Sequence, residues 1–339
     1  MLNIDNGQRD IYSELLESLV REDHPYRKIL EIVDFSTLLT PLHSLYSNLG
    51  QNGICLEKGF KALLLQHAED LSYRELEKYL QENLAAKLFC GYGLKEETPD
   101  YSTFCKLKQR IGVENLTKLF NGVVQQMREK NIVSDTFTFV DTTAIVSKIA
   151  LWEERDKAIE EGLKKLNNSN VEKFAADKDA RFGAKSKNKF WFGYKAGVSV
   201  DVKHGMITNV LATPANIMDD KILENILPPS GAILGDKGFD TNDVMNLLER
   251  RKLHSMIIKK NNRKDKNKSL DHYITRLRCP FEGIFTCLTG KKNNGGYMRT
   301  YYRGLDNVNF QLAFKALACN LFRLAKIKDN LYFQGVIVS

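Results

Sequence analysis

Residues 137–146, FTFVDTTAIV, decide the fold class of this 339-residue chain. The stretch is rich in β-branched and aromatic residues and alternates with a period of two, which predicts a β-strand. One residue breaks the apolar pattern, Asp141, and a buried carboxylate destabilises a fold unless hydrogen bonds or a cation compensate it. The strand therefore carries the first candidate functional residue.

Strands and helices alternate after this strand. Strand-like runs cover 189–202, 206–213, 231–236 and 254–259, and helix-like runs cover 218–227, 241–253, 272–288 and 309–327. Residues 182–189, FGAKSKNK, are predicted to be loop. This order predicts a mixed α/β domain over residues 136–328.

Residues 1–135 predict an all-helical N-terminal domain, because apolar residues recur at helical spacing. Ser72 and Glu75 in LSYRELEKYL form a capping box, which marks a helix start. A short helix is predicted within residues 98–112, TPDYSTFCKLKQRIG. The basic residues that this helix is predicted to expose are Lys106, Lys108 and Arg110. Two interpretations are open: a helix-turn-helix variant that contacts DNA, and a plain helical bundle with solvated lysines.

Positive charge is concentrated in the last quarter of the chain. The whole chain has 50 Lys and Arg against 42 Asp and Glu, a formal net charge of +8. Residues 250–278 alone carry 11 basic and 2 acidic side chains. This density favours a partner with dense negative charge, and nucleic acid first.

Several classes of protein are excluded by what the sequence lacks. No apolar run approaches the roughly 18–20 residues of a membrane-spanning helix, so no membrane partner is expected. The first residues, MLNIDNGQRDIYSELLESL, contain no apolar signal-peptide region, so a cytoplasmic protein is expected. There is no P-loop and no GxGxxG motif, and no nucleotide cofactor is expected.

Two further acids complete a candidate metal site. Asp236 ends the apolar run ILGD, and Glu282 lies in a helix-like segment with Arg278 four positions earlier. Carboxylates that a fold brings together suit Mg²⁺ or Mn²⁺, which prefer oxygen ligands. Two such ions about 3.5–4 Å apart can promote phosphodiester transfer. We therefore predict that Asp141, Asp236 and Glu282 are catalytic and bind two Mg²⁺ or Mn²⁺ ions.

Six segments carry a resemblance to a known family: residues 63–80, 98–112, 137–145, 190–220, 233–240 and 301–324. They look like bacterial insertion-sequence transposases of the DDE type, the InsH-like group of insertion-sequence family five. The resemblance implies an RNase H-like catalytic core over 136–328, preceded by a helical domain that binds DNA or dimerises. It further implies that Asp141 and Asp236 are the first two catalytic acids. The partners implied are double-stranded DNA, as element ends and target, and further copies of the chain, at the nucleoid of a bacterium.

The third acid has two interpretations within RLRCPFEGIFTCL, residues 276–288. The family often shows Arg-x-x-x-Glu, with Pro-Phe just after the Glu. The Arg-x-x-x-Glu spacing selects Arg278 and Glu282, whereas Pro280 and Phe281 as the anchor would put Arg278 in the acid position. We prefer Glu282, because it is the only acid in this stretch. If Arg278 holds the position instead, the site lacks its Glu.

The basic stretch 250–278 is predicted to contact DNA phosphates, which gives affinity with little reading of base sequence. The predicted contacts are Lys259, Lys260, Arg263, Lys264, Lys266 and Lys268. Lys237, Arg276 and Arg278 are close to the acids in sequence and are predicted to position the scissile phosphate. The aromatic run 190–192 is predicted to be sheet core.

The sequence as a whole predicts a DNA transposase that cuts and joins DNA with divalent metal. Two alternatives stay open: a catalytically decayed or domesticated DNA-binding protein, and a metal-dependent DNA nuclease that cuts without joining. The tail, residues 329–339, contains LYFQG, which resembles a protease site engineered for tag removal. Natural sequence and cloning scar are both open for this tail.

Overall fold

A computed structural model describes residues 11–46, 53–148, 152–161, 165–186, 189–264, 266–278, 281–289 and 298–329. The chain divides into two compact units, called here the helical unit (residues 1–123 and 317–339) and the sheet unit (residues 124–316). The LYFQG motif lies outside the described residues. None of the described helices is long and apolar enough to cross a membrane.

The helical unit packs its helices around large apolar side chains. The helices are α1 (Ile11–Leu19), α2 (Pro25–Ile32), α3 (Phe35–Leu39), α4 (Leu56–Ala68), α5 (Tyr73–Glu82), α6 (Leu84–Cys90) and α7 (Tyr101–Glu129), with a 3-10 helix over Thr40–Leu45. The residues of α7 from 124 onward belong to the sheet unit. Phe60, Leu63 and Phe89 are fully buried and form part of the core. The structure therefore confirms that the N-terminal residues are helical.

Two local predictions in the helical unit are confirmed. The Ser72 hydroxyl accepts the Glu75 N–H at 3.2 Å, and the Glu75 carboxylate accepts the Ser72 N–H at 2.7 Å, so the capping box forms. Gly112, with φ 67° and ψ 168°, interrupts α7 and separates the predicted short helix from the next one. The connection from α6 to α7 spans residues 91–100, far longer than the 3–4-residue turn of a helix-turn-helix. This length fits the helical-bundle interpretation.

The five predicted strands of the sheet unit occur in the predicted order, and the structure adds β2 and β7. Its elements are β1 (Phe137–Val146), α8 (Trp152–Glu160), α9 (Val171–Phe174), β2 (Arg181–Ser186), β3 (Lys189–Asp201), β4 (Ile207–Pro214), α10 (Asp219–Ile226), β5 (Ala232–Gly235), α11 (Asn242–Arg250), β6 (His254–Ile257), α12 (Lys268–Arg278), α13 (Glu282–Thr289), β7 (Met298–Arg299) and α14 (Leu305–Asp329). A 3-10 turn, Lys237–Phe239, follows β5, and the residues of α14 from 317 onward belong to the helical unit.

One mixed sheet organises this unit. Its strand order is β2-β3-β1-β5-β6, with β4 pairing with β3 and β7 pairing with β1. The β1–β3 and β3–β4 pairs are antiparallel, whereas β1, β5 and β6 are parallel neighbours. The path β4-β3-β1-β5-β6 is the RNase H-like arrangement, to which β2 and β7 are added. Because β1, β5 and β6 are parallel, their carboxyl ends lie at the same edge of the sheet.

Helices α10 and α11 cover part of the sheet with an apolar core. Val140 and Ile233 from the strands pack with Ile222, Leu223 and Leu248 from the two helices, and all five are almost fully buried. The first part of α14 is fixed to the edge strand β4 by one side chain. The Asn309 amide accepts the Ala212 N–H at 2.7 Å and donates to the Ala212 carbonyl at 3.1 Å.

Three predictions about the sheet unit are wrong in detail. The predicted loop 182–189 is largely strand β2, because it pairs with the start of β3. Phe190 is 65% exposed and is not core, although Phe192 is buried. The helix predicted over 272–288 is two helices, α12 and α13. A proline at 280 explains the break, since proline disfavours helical backbone in the residue before it.

Candidate active site and DNA-binding surface

The first two predicted acids come together by strand register. In the parallel pair β1–β5, Phe139 lies opposite Leu234. Asp141 and Asp236 each follow two residues later, so both carboxylates lie at the same level on neighbouring strands and on the same face. Asp236 caps the 3-10 turn after β5 and accepts the Lys237 N–H at 2.6 Å.

The pKa of Asp141 reflects its burial beside Asp236. Burial is the main cause that raises this pKa to about 6. The Thr142 N–H, Arg278 and Lys185 oppose the rise, and the negative charge of Asp236 adds to it. The Thr142 N–H donates to the Asp141 carboxylate at 2.7 Å. Two neighbouring carboxylates that repel each other in a half-buried site are stabilised by a cation.

Arg278, the last residue of α12, supplies one positive charge at this pair. Its Nη1 lies 3.5 Å from the Asp236 Oδ1, and its side chain is only 13% exposed. The guanidinium also lies over the Phe139 ring, 5.4 Å from the ring centroid. The Phe281 ring stacks on the same Phe139 ring, with 6.1 Å between the two ring centroids. Arg278 and Phe281 therefore both pack against Phe139 of β1, two residues before Asp141.

The third predicted acid lies at the start of the next helix. Glu282 is the first residue of α13, and its side chain is not among those that the structure describes. The interpretation that Arg278 and Glu282 are one turn apart on a single helix is wrong, because α12 ends at Arg278. Within the described residues, no group of three or more His, Cys, Asp or Glu side chains is arranged to hold a metal ion.

One further acid, Asp240, lies four residues after Asp236 and was not predicted from the sequence. Its side chain is completely buried and accepts the Lys260 N–H at 2.9 Å and the Arg263 Nε–H at 3.1 Å. Burial alone would raise the pKa of Asp240, but the hydrogen bonds from Lys260 and Arg263 and the charge of Lys259 outweigh burial and lower it. Asp240 thus fixes residues 259–263, the first of the predicted phosphate contacts. The only signal for Asp240 in the sequence is that an aspartate directly follows the apolar Phe239.

Half of the six predicted phosphate contacts in the basic stretch have partners inside the protein. Lys259 Nζ lies 3.9 Å from Asp240 Oδ1, and Arg263 is bound to the same carboxylate. Lys266 Nζ lies 3.1 Å from Asp271 Oδ2. The predicted DNA-contacting side chains of the sheet unit that are well exposed are Lys237, Lys264, Lys268 and Arg276, while Lys260 is half-buried.

The predicted basic face of α7 is only partly formed. Lys106 and Arg110 are exposed, and the Arg110 guanidinium lies over the Tyr46 ring at 4.6 Å. Lys108 is buried, which contradicts the predicted exposure, and burial lowers its pKa to about 8. Phe104, Leu107 and Ile111 recur at helical spacing and form the buried side of the helix. Lys108 lies on this same side. Lys108 is therefore not part of the exposed face that carries Lys106 and Arg110.

Comparisons with known proteins agree with this arrangement. A family described as "Transposase domain (DUF772)" matches residues 14–110, and a family described as "Transposase DDE domain" matches residues 155–321. Asp236, Arg278 and Glu282 lie within the second match, whereas Asp141 lies between the two.

Among solved structures, the chain is similar to a Mos1 transposase in a paired-end complex with the left transposon end. The two sequences are 10% identical, and the match covers 79% of this chain and 89% of that chain with a TM-score of 0.18. A TM-score this low supports no argument about the fold. The family matches carry the conclusion, since two transposase domains follow one another along most of the chain. The protein belongs to the DDE-type insertion-sequence transposases, and it is a DNA transposase.

Proposed function

We propose that this chain cuts the ends of an insertion sequence and joins them to target DNA, using Asp141, Asp236 and Glu282 as its catalytic acids. The finer assignment that we favour is the InsH-like group of insertion-sequence family five. The observation that carries the proposal is the parallel β1–β5 register, because it brings Asp141 and Asp236 side by side. The proposed place of action is the bacterial cytoplasm, at the nucleoid.

The chemistry of the acid pair fits a divalent cation. Two oxygen-ligand side chains lie at one level, and burial and mutual repulsion make the negative charge of Asp141 costly without a cation. Asp141 and Asp236 would hold Mg²⁺ or Mn²⁺, and Glu282 would complete a site for two ions. When bound, such ions activate a water or 3′-hydroxyl and stabilise the leaving oxygen of a phosphodiester.

The other residues of the site bind and orient DNA. The exposed Lys237 follows Asp236 directly, so its ammonium is well placed to hold a phosphate near the acids. The predicted phosphate contacts from Lys259 onward follow β6, whose carboxyl end lies at the same sheet edge as that of β5. Exposed Lys106 and Arg110 support DNA binding by the helical unit, which would recognise or pair the element ends. The working unit would be a dimer or higher oligomer on double-stranded DNA.

The proposed function is tested by the products made from DNA that carries the ends of the element encoding this chain. Purified full-length protein is incubated with labelled end DNA, a supercoiled target plasmid and Mg²⁺ or Mn²⁺. We expect cleaved ends and a joined product that contains both label and plasmid. Cleavage without joining would identify a nuclease instead. DNA binding without cleavage at any Mg²⁺ or Mn²⁺ concentration would identify a decayed, DNA-binding protein.

The DNA-binding surface is tested by the salt dependence of affinity. Each phosphate contact contributes about 0.9 to the slope of log K against log[salt]. Replacing the exposed Lys237, Lys264 and Lys268 by Gln is therefore expected to reduce the slope by up to about 3. The measurement is fluorescence anisotropy with end DNA at several salt concentrations.

A matched triple variant controls for the loss of three charges. Lys157, Lys178 and Lys221 are also exposed in the sheet unit and lie outside the basic stretch. Their replacement by Gln is expected to leave the slope within about 1 of the wild type. Equal slopes for the two triple variants would show that DNA does not bind along the proposed surface.

A further inference from the structure

We propose that Arg278 is a resident counter-cation of the Asp141–Asp236 pair, which a divalent cation has to displace from Asp236. The inference rests on the proposed function, because it takes this acid pair as the metal site. It assigns Arg278 a role different from a fixed phosphate contact. Without metal, the guanidinium offsets part of the negative charge of the two acids. With metal bound, it is released from Asp236.

The position of Arg278 supports this role. The residue ends α12, and its guanidinium is confined between Asp236, at 3.5 Å, and the Phe139 ring, at 5.4 Å from the centroid. Its side chain is 13% exposed, so the charge is largely removed from solvent. A buried cation of this kind is stable only beside negative charge. The acid pair is therefore what holds Arg278 in place, and Arg278 in turn stabilises the acid pair.

Arg278 is bound less completely than comparable arginines in the same unit. Its Nε has no hydrogen-bond partner among the described residues, although a guanidinium has five N–H donors. Arg128 instead binds Asp135 with two hydrogen bonds, at 3.0 and 3.1 Å. Arg263 donates to the buried Asp240 at 3.1 Å. Among the described residues Arg278 makes one ion pair, at 3.5 Å, which is longer than those of Arg128 and Arg263 and is therefore the one suited to exchange.

The charges at the site make Arg278 and a metal ion compete. A divalent cation bound by Asp236 would lie within a few ångströms of the guanidinium, and two positive charges at that distance in a half-buried site repel each other strongly. Metal binding therefore has to move the guanidinium away from Asp236. Removing the positive charge of Arg278 removes this competitor.

The experiment is a calorimetric titration of full-length protein with Mn²⁺ alone, without DNA. Arg278→Gln is expected to bind Mn²⁺ about tenfold or more tightly than the wild type. The matched control is Arg276→Gln, which removes an exposed charge from the same helix and is expected to change the affinity less than about threefold. Asp236→Asn is expected to abolish the binding at this site.

The outcomes separate this inference from the proposed function. Mn²⁺ binding that Asp236→Asn abolishes but Arg278→Gln leaves unchanged, or weakens, overturns the counter-cation role alone. Mn²⁺ binding that Asp236→Asn does not affect overturns the proposed metal site and this inference with it.

A measurement on the wild-type protein covers the case in which Arg278→Gln does not fold. The side-chain Nε–H signal of Arg278 is assigned in an NMR spectrum by its absence from Arg278→Lys. Saturation with diamagnetic Mg²⁺ is expected to shift this signal and to speed its exchange with solvent, because the guanidinium leaves Asp236. An unchanged signal at saturating Mg²⁺ contradicts displacement.

Discussion

The Glu282→Gln variant is expected to lose DNA cleavage as completely as Asp141→Ala, by roughly 10³-fold in rate. Both changes remove a carboxylate from the proposed metal site while the DNA-binding side chains are kept. Metal ions contribute several kcal/mol of transition-state stabilisation in such reactions, and about 4 kcal/mol corresponds to this loss. The measurement is the initial rate of end cleavage with Mg²⁺, under single-turnover conditions so that DNA binding does not limit the rate.

The control for Glu282→Gln is Glu249→Gln, which changes an exposed glutamate of α11 in the same way. It is expected to cleave at the wild-type rate. The comparison decides between the two alignments of residues 276–288. If Glu282→Gln cleaves like the wild type while Asp141→Ala does not, the third acid is not Glu282, and the Pro280–Phe281 anchor with Arg278 in the acid position is the better interpretation.

The Asp240→Asn variant is expected to have a free energy of unfolding about 3 kcal/mol lower than that of the wild type. The substitution leaves Arg263 and the neighbouring Lys259 without the buried carboxylate that neutralises them. Breaking a buried pair typically costs 3–5 kcal/mol, and partial exposure of Arg263 puts this case near the lower value. The free energy of unfolding, measured by urea denaturation at pH 7, tests it. Asp243→Asn, an exposed acid in the first turn of α11, is the control and is expected to lose less than about 1 kcal/mol.

The wild type and Asp240→Asn are also expected to differ in how their stability depends on pH. The pKa of Asp240 is lowered in the folded protein from the ordinary 3.8. Its contribution to stability is therefore complete above pH 3.8 and is lost as the pH falls through the lower, folded-state pKa. The difference in unfolding free energy between wild type and Asp240→Asn is expected to be constant at neutral pH and to shrink below pH 3.8. A constant difference down to pH 2 would mean that the Asp240 charge does not stabilise the fold.

Local pattern was sufficient for most elements of the sheet unit. The alternation in residues 137–146 and 206–213 predicts β1 and β4, and the break at Asp236 predicts the end of β5. These features depend on neighbouring residues and on one buried face, which a sequence displays directly. Strand β2 could not be found in this way. Its polar sequence becomes a strand because it pairs with the aromatic start of β3, a contact between separate segments.

The candidate site was predictable only in part for the same reason. Asp141 and Asp236 stand out because each interrupts an apolar strand, but their alignment depends on the β1–β5 register. Asp240 was missed and Lys108 was wrongly predicted to be exposed, because burial of a charged side chain depends on long-range packing. The break between α12 and α13 was predictable in principle, since Pro280 is visible in the sequence.

Asn309 has a consequence for how copies of this protein can associate. The outer edge of β4 would otherwise present free N–H and C=O groups, which invite pairing with a strand of another chain. At Ala212 the Asn309 amide uses both groups, as donor and as acceptor. A strand from a second molecule could not continue its ladder past this residue. Edge-to-edge aggregation through β4 is therefore blocked at this point.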